Sequence, residues 1–242
     1  MTINSNIENI ERRIEKYWDD RSADFSRVRR IEFEGVSAAN WREMLVKDLP
    51  AGKTLKILDV GTGAGFFAAI LSQLGHKVTG VDMSGKMIDE AKKNLHELKL
   101  DAEFFKMDAQ NLNFADESFD AIVTRNLTWT LPDVMQGYRE WKRVLKSGGV
   151  LINFDSDYGD RNFTRENSGV DVEVTDKMLD ECTEIKNSLR ISTHTRPTWD
   201  VEFLKTLGFN VQCDFDVSAK VHTDKNVPYD STPLFKICAK LF

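Results

Sequence analysis

Three carboxylates and a run of glycines carry the chemistry that can be read directly from this chain. Asp59 stands two residues before Gly61, and Gly61, Gly63 and Gly65 alternate with Thr62 and Ala64. Glycine has no Cβ, so such a turn reaches positive φ and lets a ligand lie against bare backbone. The apolar helical pattern that follows from Phe66 aims its free N–H groups and positive dipole end into the same space. Asp82 comes 21 residues after Gly61, the separation at which a nucleotide-binding strand–helix–strand unit sets a carboxylate against ribose hydroxyls. Asp108 ends a further apolar segment. The chemistry implied is recognition of a flat, polar, nucleotide-like cofactor.

These residues need a scaffold, and the pattern around them supplies one. Leu55 to Val60 reads as a strand, Phe66 to Leu74 as a helix, and Lys77 to Asp82 as a second strand. A helix follows from Ser84, then strands over 102–107 and 119–124, a helix over 134–145 and a fifth strand over 150–154. This alternation predicts an α/β, Rossmann-like, doubly wound and mostly parallel sheet, whose strand ends share one edge. Phe209 to Val217 and Phe235 to Leu241 alternate apolar and polar residues, so a seven-stranded sheet with a last-pair hairpin at its edge is expected. Ile10, Ile14, Tyr17 and Trp18 mark one N-terminal helix, and Trp41, Met44, Leu45 and Leu49 another. The charges between them, Arg27, Arg29, Arg30, Glu32 and Glu34, read as a solvated mixed face. The organisation expected is one domain over 1–242: a helical lid (1–50), a cofactor-binding core (51–155), an acceptor-side helical insertion (156–208) and a C-terminal hairpin (209–242).

Composition narrows the partners. The 242 residues are 41% hydrophobic and 30% charged, as in soluble globular proteins, and the net charge of -6 disfavours nucleic acid. No apolar run is long enough to span a bilayer. Cys182, Cys213 and Cys238 are scattered, match no metal spacing, and read as core residues of a reducing compartment, so a cytoplasmic location is expected.

Five ordered motifs give a sharper reading. Asp-Val-Gly-Thr-Gly-Ala-Gly at 59–65, Asp82, Asp108-Ala109, Ser-Phe-Asp-Ala-Ile-Val at 118–123 and Arg-Val-Leu-Lys-Ser-Gly-Gly-Val-Leu at 143–151 resemble the class I S-adenosylmethionine-dependent methyltransferases. The likeness is to the bacterial small-molecule branch that includes the ubiquinone and menaquinone enzymes. It covers about residues 15–155. It implies S-adenosyl-L-methionine as cofactor, S-adenosyl-L-homocysteine as product and a small-molecule acceptor.

The resemblance also assigns roles. Gly61, Thr62 and Gly63 face the amino-acid part of the cofactor, Asp59 its ammonium group and Asp82 the ribose hydroxyls. Met83 packs on the adenine, Asp108 accepts from its amino group and the Ala109 N–H meets a ring nitrogen. Tyr17, in Tyr-Trp-Asp-Asp-Arg-Ser, resembles a covering segment and reaches the cofactor carboxylate; packing of the helix on the sheet is the alternative. Asn126 lies near the methionine moiety, and Trp129 faces the acceptor. Carboxylates suit a cofactor that carries an ammonium and a sulfonium.

Methyl transfer needs mostly alignment, and a base only where the acceptor must lose a proton. Asp155, Asp157, Tyr158, His194, Arg196 and Tyr229 are the candidates, with His194 and Tyr158 chosen as catalytic. Arg196 would hold an acceptor carboxylate or phosphate through its planar fork, but reads first as a surface ion pair, and His222 reads as a strand-side loop residue. No metal is expected. The alternatives are a catalytically silent cofactor-binding module and an NAD(P)-dependent oxidoreductase, the latter disfavoured by the glycine spacing and Asp59. The motifs leave the oligomeric state open.

Overall fold

The computed structural model describes residues 3–168 and 173–242; residues 1, 2 and 169–172, within the expected lid and insertion, lie outside them. Two helices, α1 (Ile3–Glu34) and α2 (Ser37–Asp48), come first. The core then runs β1 (Lys56–Val60), α3 (Phe66–Gln73), β2 (Lys77–Asp82), α4 (Gly85–Glu97), β3 (Glu103–Lys106), β4 (Phe119–Arg125), α5 (Val134–Val144) and β5 (Leu145–Ser156). The chain closes with α6 (Asp176–Ser188), α7 (Thr198–Thr206), β6 (Phe209–Asp214), α8 (Ser218–Val221) and β7 (Leu234–Leu241).

The seven strands of the described residues join one sheet in the order β3-β2-β1-β4-β5-β7-β6. β1 to β5 are mutually parallel, and β7 runs antiparallel to both β5 and β6. The hairpin therefore lies at the edge as the alternation predicts, with the last strand on its inner side. Strand order reverses between β1 and β4, which opens a crevice at their carboxyl ends. Register sets Asp59 level with Gly80 and with Val123.

Alternate strand residues point to opposite faces, and helices bury both. Leu58, Val60, Ile122 and Leu151 pack with Tyr138 and Trp141 of α5, and with α6 and α7, on one face. Ile57, Ala121, Val123 and Ile152 pack with Trp41, Phe67 and Ala91 on the other. Two glycines of the turn are sterically obligatory. Gly61 has φ +68°, and a Cβ there would sit 2.8 Å from Leu127; Gly65 has φ +84°, and a Cβ would meet Leu95 at 2.9 Å.

Two features differ from the sequence reading. α1 does not stop after Trp18 but continues to Glu34, and the mixed-charge stretch is part of it, with Glu32 fully buried. Arg29 and Glu32 are paired inside the protein, while Arg27, Arg30 and Glu34 lie on the surface as a mixed face, and sequence alone does not distinguish the two cases. β5 starts at Leu145, before the Ser147-Gly148-Gly149 turn, with an irregular register against Phe119 and Ala121.

Candidate functional site

The crevice is a cavity of about 220 Å³, lined by α1, by the segments that follow β1 to β5, by α6 and by the stretch between α8 and β7. Tyr17, Asp59, Gly61, Thr62, Gly63, Asp82, Met83, Asp108, Ala109 and Asn126, the ten residues singled out for the cofactor, all line it. They come from α1 and from the ends of β1, β2, β3 and β4, which parallel packing brings to one edge.

Asp59 is 2% exposed, and its Oδ2 accepts from Thr62 Oγ1 at 2.6 Å and from the Ala68 N–H at 3.1 Å. It thereby caps the glycine turn and the start of α3. Burial pushes its carboxyl up to about 7, against the lowering effect of those two bonds. Asp82 accepts from the Gly63 N–H through Oδ2 and from the Ser84 N–H through Oδ1, both at 2.9 Å. Burial pushes it up to about 6, with the two amides pulling the other way. Asp108 Oδ1 accepts from the Gln110 backbone N–H at 2.8 Å, and the Gln110 side-chain amide donates to it at 3.1 Å. Two desolvated acids and a third at the strand ends form a wall that gains stability when a cation or a set of hydroxyl donors arrives.

Asn126 turns the chain out of β4 with φ +53°, unusual for a residue with a side chain. Its N–H donates to Phe154 at 2.8 Å and its carbonyl accepts from Trp129 Nε1 at 3.1 Å. Its side-chain Oδ1 is buried without a partner among the described residues, leaving an acceptor for a ligand's N–H or O–H.

α1 forms the cover. It crosses the strand ends in the order β3, β2, β1, β4. Glu15 accepts from Lys106 at the end of β3 (2.6 Å), and Asp19 from Ser84 Oγ after β2 (2.5 Å). Phe25 sits 3.1 Å from where a Gly63 Cβ would be, and Glu32 accepts from both Arg125 Nη atoms at the end of β4 (3.0 Å each). The Tyr17 hydroxyl accepts from Arg21 at 2.8 Å, and Arg21 also donates to Asp24. Burial, with Cys182 beside it, raises the Tyr17 hydroxyl above its ordinary range, so it stays protonated. Cys182 is buried as expected of a core residue, yet it also borders the cavity, and burial pushes its thiol up to about 11.

The expected catalytic residues separate. Tyr158 lines the cavity in an aromatic wall, its ring 4.9 Å from Trp129 and 5.1 Å from Phe163. Burial holds its hydroxyl well above 10, so it serves as a donor and not as a base. His194 is not among the cavity residues; its ring stacks on Trp199 at 4.5 Å, outside the crevice. Arg196 is neither a surface ion pair nor an acceptor clamp. Its side chain is 2% exposed and bonds Asp200 at 2.8 and 2.9 Å, Asp155 at 3.4 Å and Thr128 at 2.5 Å, pinning the insertion to β5. Asp155 and Asp157 are likewise spent on internal bonds, to Trp129 and Ser156 and to Arg196 and Gly159.

Sequence reasoning missed Arg29, Arg125 and His222, all of which line the cavity. Arg29 and Arg125 share one carboxylate, that of Glu32, which also accepts from Trp41 Nε1 at 2.9 Å. Burial would raise the Glu32 carboxyl, but the two guanidiniums outweigh it and hold it below its ordinary value. Burial pushes Arg29 down to about 10, with repulsion from Arg125 adding to it and Glu32 opposing. His222 stacks on Tyr229 at 4.2 Å, and burial, reinforced by Arg125, lowers it to about 4. The signal available for Arg29 was its helical spacing from Tyr17, Arg21 and Phe25; His222 had none. Among the described residues no cluster suits a metal ion, and no helix is long and apolar enough to cross a membrane.

Comparison with known proteins agrees with this geometry. Residues 58–153 match the methyltransferase domain family. The chain resembles the demethylmenaquinone methyltransferase of Thermotoga maritima, 36% identical over 136 residues, or 55% of this chain and 57% of that protein. It thus spans about half the length of the curated relatives it matches. Its fold is similar to a SAM-dependent methyltransferase of Aquifex aeolicus at 19% identity and TM-score 0.58, over 90% of this chain and 98% of that one. It is similar too to phosphoethanolamine N-methyltransferase 2 of Haemonchus contortus, solved with S-adenosylhomocysteine and phosphomonomethylethanolamine, at 17% identity and TM-score 0.65, over 94% and 59% of the two chains. Residues 58–153 thus resemble a methyltransferase domain, and the fold is similar to that of solved S-adenosylmethionine-dependent methyltransferases. Three of its sequence relatives are bacterial demethylmenaquinone methyltransferases.

Proposed function

We propose that this chain is an S-adenosylmethionine-dependent methyltransferase that moves a methyl group to a small molecule by in-line displacement. The observation that carries the reading is the convergence of Asp59, Asp82 and Asp108, from three successive strand ends, with the glycine turn on one cavity. Asp108 and the Ala109 N–H hold the adenine, Asp82 the ribose hydroxyls and Asp59 the ammonium group. Met83 packs on the adenine ring, and the Asn126 Oδ1 takes a remaining donor. Tyr17 and Arg21, on the cover helix, face the cofactor carboxylate. Residues 1–50 act as the lid, and the insertion over 156–208 shapes the acceptor side through Tyr158 and Phe163.

The cofactor supplies an activated methyl group on a positive sulfur, so the protein's task is alignment and exclusion of water. Trp129, Tyr158 and Phe163 give the acceptor an apolar wall, and a demethylated quinone, as in the name of the Thermotoga relative, is a reasonable shape for it. The net charge of -6 favours a small-molecule acceptor over nucleic acid, and the three free cysteines favour the cytoplasm.

A thermal-shift scan tests the reading. S-adenosylmethionine and S-adenosylhomocysteine should each stabilise the protein, by about 2.7 kcal/mol at one hundred times Kd. Stabilisation by NAD(P) alone would refute it.

A further inference from the structure

The cover helix reads the cavity out as a sequence of compartments. α1 passes β3 at Glu15, β2 at Asp19, β1 at Phe25 and β4 at Arg29 and Glu32. The acids assigned to the cofactor stand at the first three strands, and at β4 only the Asn126 amide is assigned to it. Arg29 is eight residues past Arg21, about 12 Å further along the helix axis.

The compartment at β4 is basic. Arg29 and Arg125 bring two guanidiniums against the single carboxylate of Glu32, with side chains 11% and 10% exposed. Both Nε–H groups are buried without an acceptor among the described residues. Aromatic faces flank the pair: Arg29 lies 5.1 Å from the centre of the Phe25 ring, and Arg125 5.1 Å from that of Phe66 and 4.2 Å from that of Trp41. His222, stacked on Tyr229, completes the lining, and the Tyr229 hydroxyl is 2.6 Å from Ser37 Oγ. Of the nearby acids, Asp224 packs against Gly35, Asp216 is exposed and accepts from the Ser218 N–H, and Asp230 bonds Thr232 and pairs with Arg161. None of these contacts is to Arg29 or Arg125. One positive charge is thus left over, and two Nε–H donors are without an acceptor among the described residues, where Arg29 and Arg125 line the cavity.

We propose that the acceptor carries a carboxylate on an apolar, planar body, and that Arg29 and Arg125 seat this group at the β4 end of the cavity. The inference rests on the methyltransferase reading for the identity of the occupant, though not for the existence of the anion site. A guanidinium is a fork matched to a carboxylate's two oxygens, and a fixed anchor there holds the acceptor's attacking atom against the methyl group. The relatives' quinone has no such group in its name, so the proposal separates this chain from them by substrate.

The test uses benzoate and its neutral isostere benzamide as probes, titrated calorimetrically into the full-length protein with and without saturating S-adenosylhomocysteine. Benzoate should bind at least tenfold more tightly than benzamide. Arg29→Gln should remove that preference while S-adenosylhomocysteine affinity stays within twofold, and Arg29→Lys should keep part of it. Equal affinity for the two probes, or no binding of either, would overturn the proposal. Loss of S-adenosylhomocysteine affinity in Arg29→Gln would overturn it too, by giving the pair to the cofactor's own carboxylate. If Arg29→Gln does not fold, the wild-type probe ratio and Arg29→Lys still decide. Absence of S-adenosylhomocysteine binding by the wild type would instead refute the methyltransferase reading, leaving the cofactor-free titration to judge the anion site.

Discussion

Cofactor binding should release protons, and Asp59 sets the amount. Its carboxyl is pushed from 3.8 to about 7 by burial, which corresponds to about 4 kcal/mol of disfavoured charge. Asp82, at about 6, is held up for the same reason. Both acids hold a proton more tightly folded than unfolded, so their contribution to stability is full below about pH 4 and is lost as pH rises through 6 to 7. An ammonium group beside Asp59 and hydroxyl donors on Asp82 stabilise the ionised forms and drive those protons off. At pH 6.5 roughly three-quarters of Asp59 and one-quarter of Asp82 are protonated in the free protein, so binding should release about one proton. At pH 7.5 this falls to about a quarter. Calorimetry of S-adenosylhomocysteine at pH 6.5, in two buffers of different ionisation enthalpy, reads the number directly. Asp59→Asn should reduce it to about a quarter of a proton. A buffer-independent enthalpy at pH 6.5 would show that Asp59 only caps the turn through Thr62 and Ala68, and would refute its role toward the ammonium.

Asp82→Ala should weaken S-adenosylhomocysteine binding by at least about 1 kcal/mol, since a charged acceptor of hydroxyls is lost and the Gly63 and Ser84 amides lose theirs; unchanged calorimetric affinity would reject the ribose role. Arg196→Met should cost about 3–5 kcal/mol in denaturant unfolding, because Asp155 and Asp200 would remain buried without their cation. A loss under about 1 kcal/mol would contradict the strut described here. His194→Ala should cost about 0.5–1.5 kcal/mol of stability from its stacking on Trp199 and leave methyl transfer intact. A large fall in turnover with normal stability would return His194 to the mechanism.

Local chemistry explains which parts of the structure were legible in the sequence. The glycine turn, Asp59, Asp82 and Asp108 were readable because each strand end carries its polar residue in a short motif, and a parallel sheet must gather those ends. Tyr158 lines the cavity because it follows β5 directly, although burial makes its hydroxyl a donor. Arg196 and Glu32 were misread because an ion pair closed inside the protein has the same composition as one at the surface: only the fold brings Arg125 to Glu32 across 93 residues and Asp155 to Arg196. His194 had the right side chain for a base, but a flanking Trp199 holds it by stacking. The basic compartment was invisible because its parts come from α1, β4 and the stretch between α8 and β7, which are remote in sequence.

Methyl transfer itself is the most direct measurement. The purified protein would be incubated with methyl-labelled S-adenosylmethionine and a cell extract, and the label then followed into small molecules, protein and nucleic acid. Label in the small-molecule fraction, abolished by Asp82→Ala at low cofactor concentration, is the predicted result. Transfer only to protein or nucleic acid, or binding of S-adenosylhomocysteine with no transfer to any fraction, would contradict it.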